Sequence, residues 1–224
     1  MAFNLQTFKT RALTAIVFAI VMVAGLLWSQ CSFILLFTVI HFGCWFEFIK
    51  LLKKINPGNF LYYVPLGLLY ISLPILLMLY VRFELFVDTA DKVLKIIPCM
   101  IIFSIWINDT MAYIVGSFIG KIPFSKISPK KTWEGTAGGA VLCVAVIALI
   151  SWGLNYNVKH FTIIAAICAV FGTLGDLLES KLKRMAQVKD SGSLMPGHGG
   201  FLDRFDSLLI ATPFVWVYVY FFIR

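Results

Sequence analysis

Charge is scarce in this chain. Only 13 % of its 224 residues are Asp, Glu, Lys or Arg, against about 25 % in soluble domains, and the mean hydropathy is +0.90. A water-facing globule is not built from such a composition. Histidine is scarcer still, limited to His41, His160 and His198, and no H-x-x-x-H or Cys/His set at zinc spacing occurs. The five cysteines (Cys31, Cys44, Cys99, Cys143, Cys168) include no C-x-x-C and lie in or beside apolar runs, so they read as small hydrophobes rather than as disulfides or ligands. A Walker A loop is absent, as is a G-x-G-x-x-G opening a strand–helix unit, and strand-like alternation is weak. Any nucleotide must therefore be held by helix ends, loops and metal.

What the chain has instead is long apolar runs. A bilayer-spanning helix needs about 20 mostly apolar residues, and seven segments qualify: about 12–29, 31–50, 60–81, 95–119, 136–153, 160–179 and 206–223. The expected fold is all-α: a polytopic integral membrane protein of about seven transmembrane helices, a single domain over 1–224 with N-terminal helices in 1–95 and a functional half in 96–224. Lys9 and Arg11 before an apolar run have the outline of a signal sequence. Trp28-Ser29-Gln30-Cys31 is neither an A-x-A site nor a good lipobox, so an uncleaved first helix is expected. The net charge of +8 does not point to nucleic acid, because the bases fall in short clusters between apolar runs. With the N-terminus cytoplasmic, most of the nineteen Lys and Arg lie on the inner side, which puts the loop 121–134 and the charged stretch after residue 180 in the cytoplasm. Residues 82–95 read as a loop or amphipathic connection with no evident chemistry.

One stretch, Gly172 to Asp206, holds five of the eleven acidic residues (Asp176, Glu179, Asp190, Asp203, Asp206) and five of the nineteen basic ones (Lys181, Lys183, Arg184, Lys189, Arg204). At helical spacing Asp176, Ser180 and Lys183 share a face, and Glu179 is placed to pair with Lys183. Gly192, Pro196, Gly197, Gly199 and Gly200 then break the helix, and Asp203 and Asp206 open the next apolar segment. Carboxylates from two helix ends, with cations and exposed N–H groups between, suit Mg²⁺ carrying phosphates. That ion usually takes one or two carboxylates and fills its octahedron with water and phosphate oxygens. Upstream, Asp109, Tyr113, Gly116 and Gly120 share one face of the fourth segment, which reads as lining a site. Thr132 is positioned to cap a helix starting near Trp133, while Trp133 itself suits either an interfacial anchor or a stacking platform. Gly135, Gly138, Gly139, Gly172 and Gly175 read as close-packing positions.

The residues Ser180, Lys183-Arg184, Lys189-Asp190, His198-Gly199-Gly200, Asp203-Arg204 and Asp206 follow S-x-x-K-R-x(4)-K-D-x(7)-H-G-G-x-x-D-R-x-D. This resembles the signature of the CDP-diacylglycerol synthases, or phosphatidate cytidylyltransferases. The likeness continues in Asn108-Asp109-Thr110 through Tyr113 and Gly116, and in Ser128-Pro129-Lys130-Lys131-Thr132-Trp133-Glu134-Gly135. It covers roughly the C-terminal half. The resemblance implies CTP and phosphatidic acid as substrates, with CDP-diacylglycerol and pyrophosphate as products. It also implies a homodimer in the inner membrane, a site on the cytoplasmic side, and Mg²⁺ with a possible second cation as cofactor. Metal ligation then falls to Asp176, Asp203, Asp206 and Glu179. The catalytic set is Lys183, Arg184, Lys189, Asp190, His198 and Arg204. Substrate binding falls to Asp109, Ser128, Lys130, Lys131, Thr132, Trp133, Glu134, Ser180, Gly199 and Gly200.

Two other readings compete. A related CTP-dependent lipid transferase, such as a CDP-archaeol synthase or a polyprenol kinase, shares the chemistry of the charged stretch. A transporter using Asp109 and Asp176 as an ion relay explains carboxylates at membrane depth, but not the dense charged cluster with its glycine-broken loop.

Overall fold

The computed structural model describes residues 5–83, 92–192 and 199–223. Helices dominate: α1 (Leu5–Leu27), α2 (Gln30–Ile55), α3 (Leu73–Phe83), α4 (Lys92–Ile119), α5 (Trp133–Gly153), α6 (Val158–Met185) and α7 (Leu202–Phe222), with no β-strand among the described residues. The all-α polytopic expectation holds, and six of the expected seven spans are found among the described residues. Six helical stretches are long and apolar enough to cross a membrane: Gln30–Ile55, Phe60–Phe83, Ile96–Ile119, Trp133–Gly153, Val158–Met185 and Leu202–Phe222. In α1 the apolar part described is the shorter Leu13–Leu27.

The links follow local chemistry. Between α1 and α2 the Ser29 hydroxyl accepts from the Ser32 N–H at 3.0 Å and the Ser32 hydroxyl accepts from the Ser29 N–H at 2.9 Å. That reciprocal cap satisfies two donors with no helical partner and keeps the hairpin tight. The third apolar segment is not one regular helix: a 3₁₀ turn (Phe60–Tyr63) and a π turn (Leu68–Ser72) precede α3. Pro74 lacks the N–H that would reach back one turn, and the wider π turn before it absorbs that defect.

Helix α6 stops at Met185 by a left-handed cap. Gln187 adopts φ +55°, its N–H reaches the Arg184 carbonyl at 3.1 Å, and the Val188 N–H reaches the Lys183 carbonyl at 2.9 Å. The helix thus ends before the glycine-broken stretch, where the sequence places its breakers.

The chain folds as two compact units, Met1–Ile71 with Leu182–Phe205, and Ser72–Lys181 with Asp206–Arg224. The crossings fall inside the π turn before α3, inside α6 and inside α7. In the second unit α4 and α5 pack closely through small residues. A Cβ on Gly139 would lie 2.7 Å from the Ala112 backbone, and one on Gly135 would lie 2.9 Å from the Gly116 Cα. Gly175 lies as tight, with Asp206 carbonyl oxygen 2.5 Å from where its Cβ would stand. Gly172 is less constrained, its nearest neighbour at 3.4 Å, and its carbonyl accepts from the Ser207 hydroxyl at 2.9 Å.

Candidate active site

In the second unit, the segment between α4 and α5 folds back as a short hairpin. The Phe124 N–H donates to the Lys131 carbonyl at 2.7 Å and the Trp133 N–H to the Ile122 carbonyl at 2.9 Å. Pro123 and Thr132 form a bridge. Thr132 caps α5, accepting from the Gly135 N–H at 3.1 Å. Glu134, in the first turn of α5, accepts from the Lys121 and Ile122 N–H groups, both at 3.2 Å. The N-terminal end of α5 and the last residues of α4 are therefore tied together, and Lys130 and Lys131 are carried on a fixed turn. The Lys131 N–H closes it on the Ser128 carbonyl at 3.1 Å.

That turn walls a cavity of about 420 Å³. Helix α4 contributes Asn108, Asp109, Ala112, Tyr113, Gly116 and Ser117, the hairpin Lys130, Lys131 and Thr132, α5 Thr136, and α6 Thr173 and Asp176. Three predicted members of the α4 face, Asp109, Tyr113 and Gly116, do line it. Gly120, the fourth, instead packs where a Cβ would meet Thr132. Asp176 forms an ion pair with Lys131 and accepts from the Ser180 hydroxyl at 3.3 Å. Both ends of the Lys131–Asp176 pair keep 29 % of their side-chain exposure, so solvent or a ligand can reach them. Buried Asp206 lies within electrostatic range of Asp176, Asp109 and Lys131, and its carboxylate accepts from the Ser207 N–H at 2.7 Å.

Ser128, Trp133, Glu134, Glu179 and Ser180, also predicted for the site, do not line the cavity. Trp133 is exposed, with its ring 4.4 Å from that of Phe124. Glu179 is buried.

In the first unit, Asp203, expected to hold metal, has both oxygens engaged by protein donors. The Lys183 ammonium meets Oδ1 at 2.7 Å. The Ser191 and Gly200 N–H groups meet Oδ2 at 2.9 and 2.8 Å. Gly199 has φ +81°, a left-handed conformation that suits glycine, and a Cβ there would lie 2.5 Å from Asp203 Oδ2. Arg184, Lys189, Asp190 and Arg204 are exposed. His198, expected to be catalytic, lies outside the described residues.

The sequence reading missed Glu47. It is the only acidic residue before residue 84 and stands inside an apolar span. Like Asp109, it is a carboxylate at membrane depth, which is the signal that could have found it. Among the described residues, no three His, Cys, Asp or Glu side chains gather closely enough to hold a metal ion. The cavity does bring two carboxylates, Asp109 and Asp176, together with Asn108 and two lysines. That donor set fits a hard cation taking one or two carboxylates and leaving its other positions to water and phosphate oxygens.

A polytopic helical membrane protein with an acid- and lysine-lined cavity is the class that fold and site define. Residues 71–222 match the model of the cytidylyltransferase family. A phosphatidate cytidylyltransferase of Rickettsia felis is 33 % identical over 222 residues, covering 95 % of this chain and 92 % of that protein. Over shorter stretches the identity is higher. A phosphatidate cytidylyltransferase of Bacillus subtilis is 45 % identical over 115 residues, 50 % of this chain and 43 % of that protein. A chloroplastic one of Arabidopsis thaliana is 46 % identical over 114 residues, 50 % of this chain and 29 % of that protein. The chain belongs to the cytidylyltransferase family, among the phosphatidate cytidylyltransferases.

Proposed function

We propose a division of labour among the residues of a chain that, as a phosphatidate cytidylyltransferase, transfers CMP from CTP to phosphatidic acid and releases pyrophosphate. A phosphate oxygen of the lipid attacks the α-phosphorus of CTP. The new P–O bond forms as the bond to the β-phosphate oxygen breaks, and the electron pair leaves with pyrophosphate. A phosphate monoester is nucleophilic enough at neutral pH to need no Ser or Cys attacker. The difficulty is electrostatic, because two anions must meet and a further anion must depart.

The cavity of the second unit is the proposed seat of that neutralisation. Its support is the joint lining by Asp109, Asp176, Lys130 and Lys131, in a chain of this family. Asp176 and Asp109 would hold Mg²⁺, with Asp206 as a buried acid supporting a second cation. When bound, the cation neutralises phosphate oxygens and the leaving group. Lys131, paired with Asp176 in this structure, would exchange that partner for a substrate phosphate, leaving the Asp176 carboxylate available as a ligand. Lys130 adds charge, Thr132 and Glu134 hold the turn that carries both lysines, and Ser180 orients Asp176. Lys183, Arg184, Lys189 and Arg204 bring further charge to the phosphates, Arg204 through a bidentate fork. Gly199 and Gly200 offer backbone donors, and His198 positions rather than transfers protons. The proposal includes a homodimer and a site facing the cytoplasm from an inner membrane. The inside excess of Lys and Arg supports that side.

Labelled CTP tests the reading. Protein in micelles with Mg²⁺ and phosphatidate should place the α-phosphate label in the lipid. Label from the γ-phosphate instead would make the chain a kinase. Neither label in lipid, with solute accumulation in proteoliposomes, would make it a transporter.

A further inference from the structure

Helix α2 carries a carboxylate that the chemistry above does not use. Glu47 lies inside an apolar span and is only 4 % exposed, an arrangement that is expensive unless its oxygens are satisfied. They are satisfied by donors some 150 residues away in sequence. Oε1 accepts from the Phe201 N–H at 2.9 Å, and Oε2 accepts from the Leu202 N–H at 2.9 Å and the Ser191 hydroxyl at 2.6 Å. The two N–H groups belong to the start of α7, where no intrahelical acceptor exists. Ser191 stands on the other flank of residues 193–198. One carboxylate therefore ties together both flanks of that segment.

The fit is close. A Cβ at Gly192 or Gly200 would overlap the Glu47 carboxylate, and one turn earlier on α2 a Cβ at Gly43 would overlap the Phe201 ring. The face Gly43–Glu47 thus takes the Phe201 ring in one place and the N–H donors at the start of α7 in the other. The tie also reaches further. The Ser191 N–H and hydroxyl both lie 2.9 Å from Asp203 Oδ2, and Asp203 Oδ1 meets the Lys183 ammonium at 2.7 Å. Glu47, Ser191, Asp203 and Lys183 form one continuous chain of polar contacts.

We propose that Glu47 is a positioning residue for nucleotidyl transfer: through Ser191, Phe201 and Leu202 it fixes Gly192, Gly200 and the start of α7 and, by way of Asp203, the Lys183 ammonium that meets the CTP phosphates. The inference rests on the assignment of Lys183 and Gly200 to phosphate binding given above. Glutamine is the informative replacement. It keeps the volume but puts an NH₂ where Glu47 meets only donors, so at least one contact becomes donor against donor.

The test uses the full chain in micelles, with initial rates measured against CTP and against phosphatidate. Removing a charged acceptor from buried donors is worth roughly tenfold or more in affinity. Glu47→Gln should therefore raise the KM for CTP by that factor, leave the KM for phosphatidate unchanged, and elute as folded protein. A purely structural Glu47 would lower yield or melting temperature and leave both KM values alone. If Glu47→Gln does not fold, Ser191→Ala removes only the hydroxyl link and should raise the KM for CTP about threefold, as expected for one ordinary hydrogen bond. An unchanged KM for CTP in whichever variant folds overturns the inference. A wild-type chain that makes no CMP-lipid overturns the functional reading, and the inference with it; an active wild type beside an unaltered Glu47→Gln removes the inference alone.

Discussion

The two units use carboxylates in opposite ways. In the second, Asp176 meets a lysine side chain on a turn, with both partners open to solvent. In the first, Glu47 accepts from two backbone N–H groups and the buried Ser191 hydroxyl, and Asp203 accepts from two backbone N–H groups besides the Lys183 ammonium. A side-chain ion pair at a cavity wall can trade its partner for a ligand, since both charges remain reachable and the pair itself contributes little stability. Backbone donors cannot swing away without unmaking the local fold. The contrast separates groups built to exchange from groups built to hold, and neither sequence position nor residue type reveals which is which.

The sharpest test of that contrast is Asp176→Asn. On the proposed assignment of Asp176 to the cation, loss of its carboxylate should lower kcat by about 10²-fold or more. The melting temperature should stay near that of the wild type; retention of half the activity would end the assignment. Asp203→Asn should fail differently. It removes the carboxylate charge 2.7 Å from the Lys183 ammonium, which is 14 % exposed, and breaking a largely buried pair costs about 3 kcal/mol. Turnover and thermal stability should therefore fall together, and an Asp203→Asn protein that melts like the wild type would erase the distinction between the units. Gly139→Ala probes scaffold without charge. Its Cβ would press on the Ala112 backbone and should destabilise by about 1–3 kcal/mol, read as a lower melting temperature. Lys53→Ala should be nearly silent in the CTP assay. Its ammonium sits 5.2 Å from the Phe60 ring centroid at the end of α2, a contact worth about 0.5–1 kcal/mol at an exposed site.

Much of this was legible in the residues. Long apolar runs gave the helices because a bilayer leaves the backbone few other ways to satisfy its hydrogen bonds. The Thr132 cap and the close-packing glycines of α5 could be read because caps and small-residue contacts are local or periodic signals. The irregular third segment was not. Its prolines were visible, but whether a helix takes up a missing hydrogen bond with a π turn or a kink depends on its neighbours. That Glu134 accepts from the Lys121 and Ile122 N–H groups was not legible either, since a loop's need for acceptors appears only once its path is known.

By itself the sequence determined the membrane class, the family and the charged stretch, because each is written in composition or in residues close along the chain. Tertiary structure alone decided which acids face a cavity and which are closed off. Glu47 meets Ser191, Phe201 and Leu202 only after helices far apart in sequence have packed, and a carboxylate's role depends on which donors reach it, whatever stretch of chain carries it.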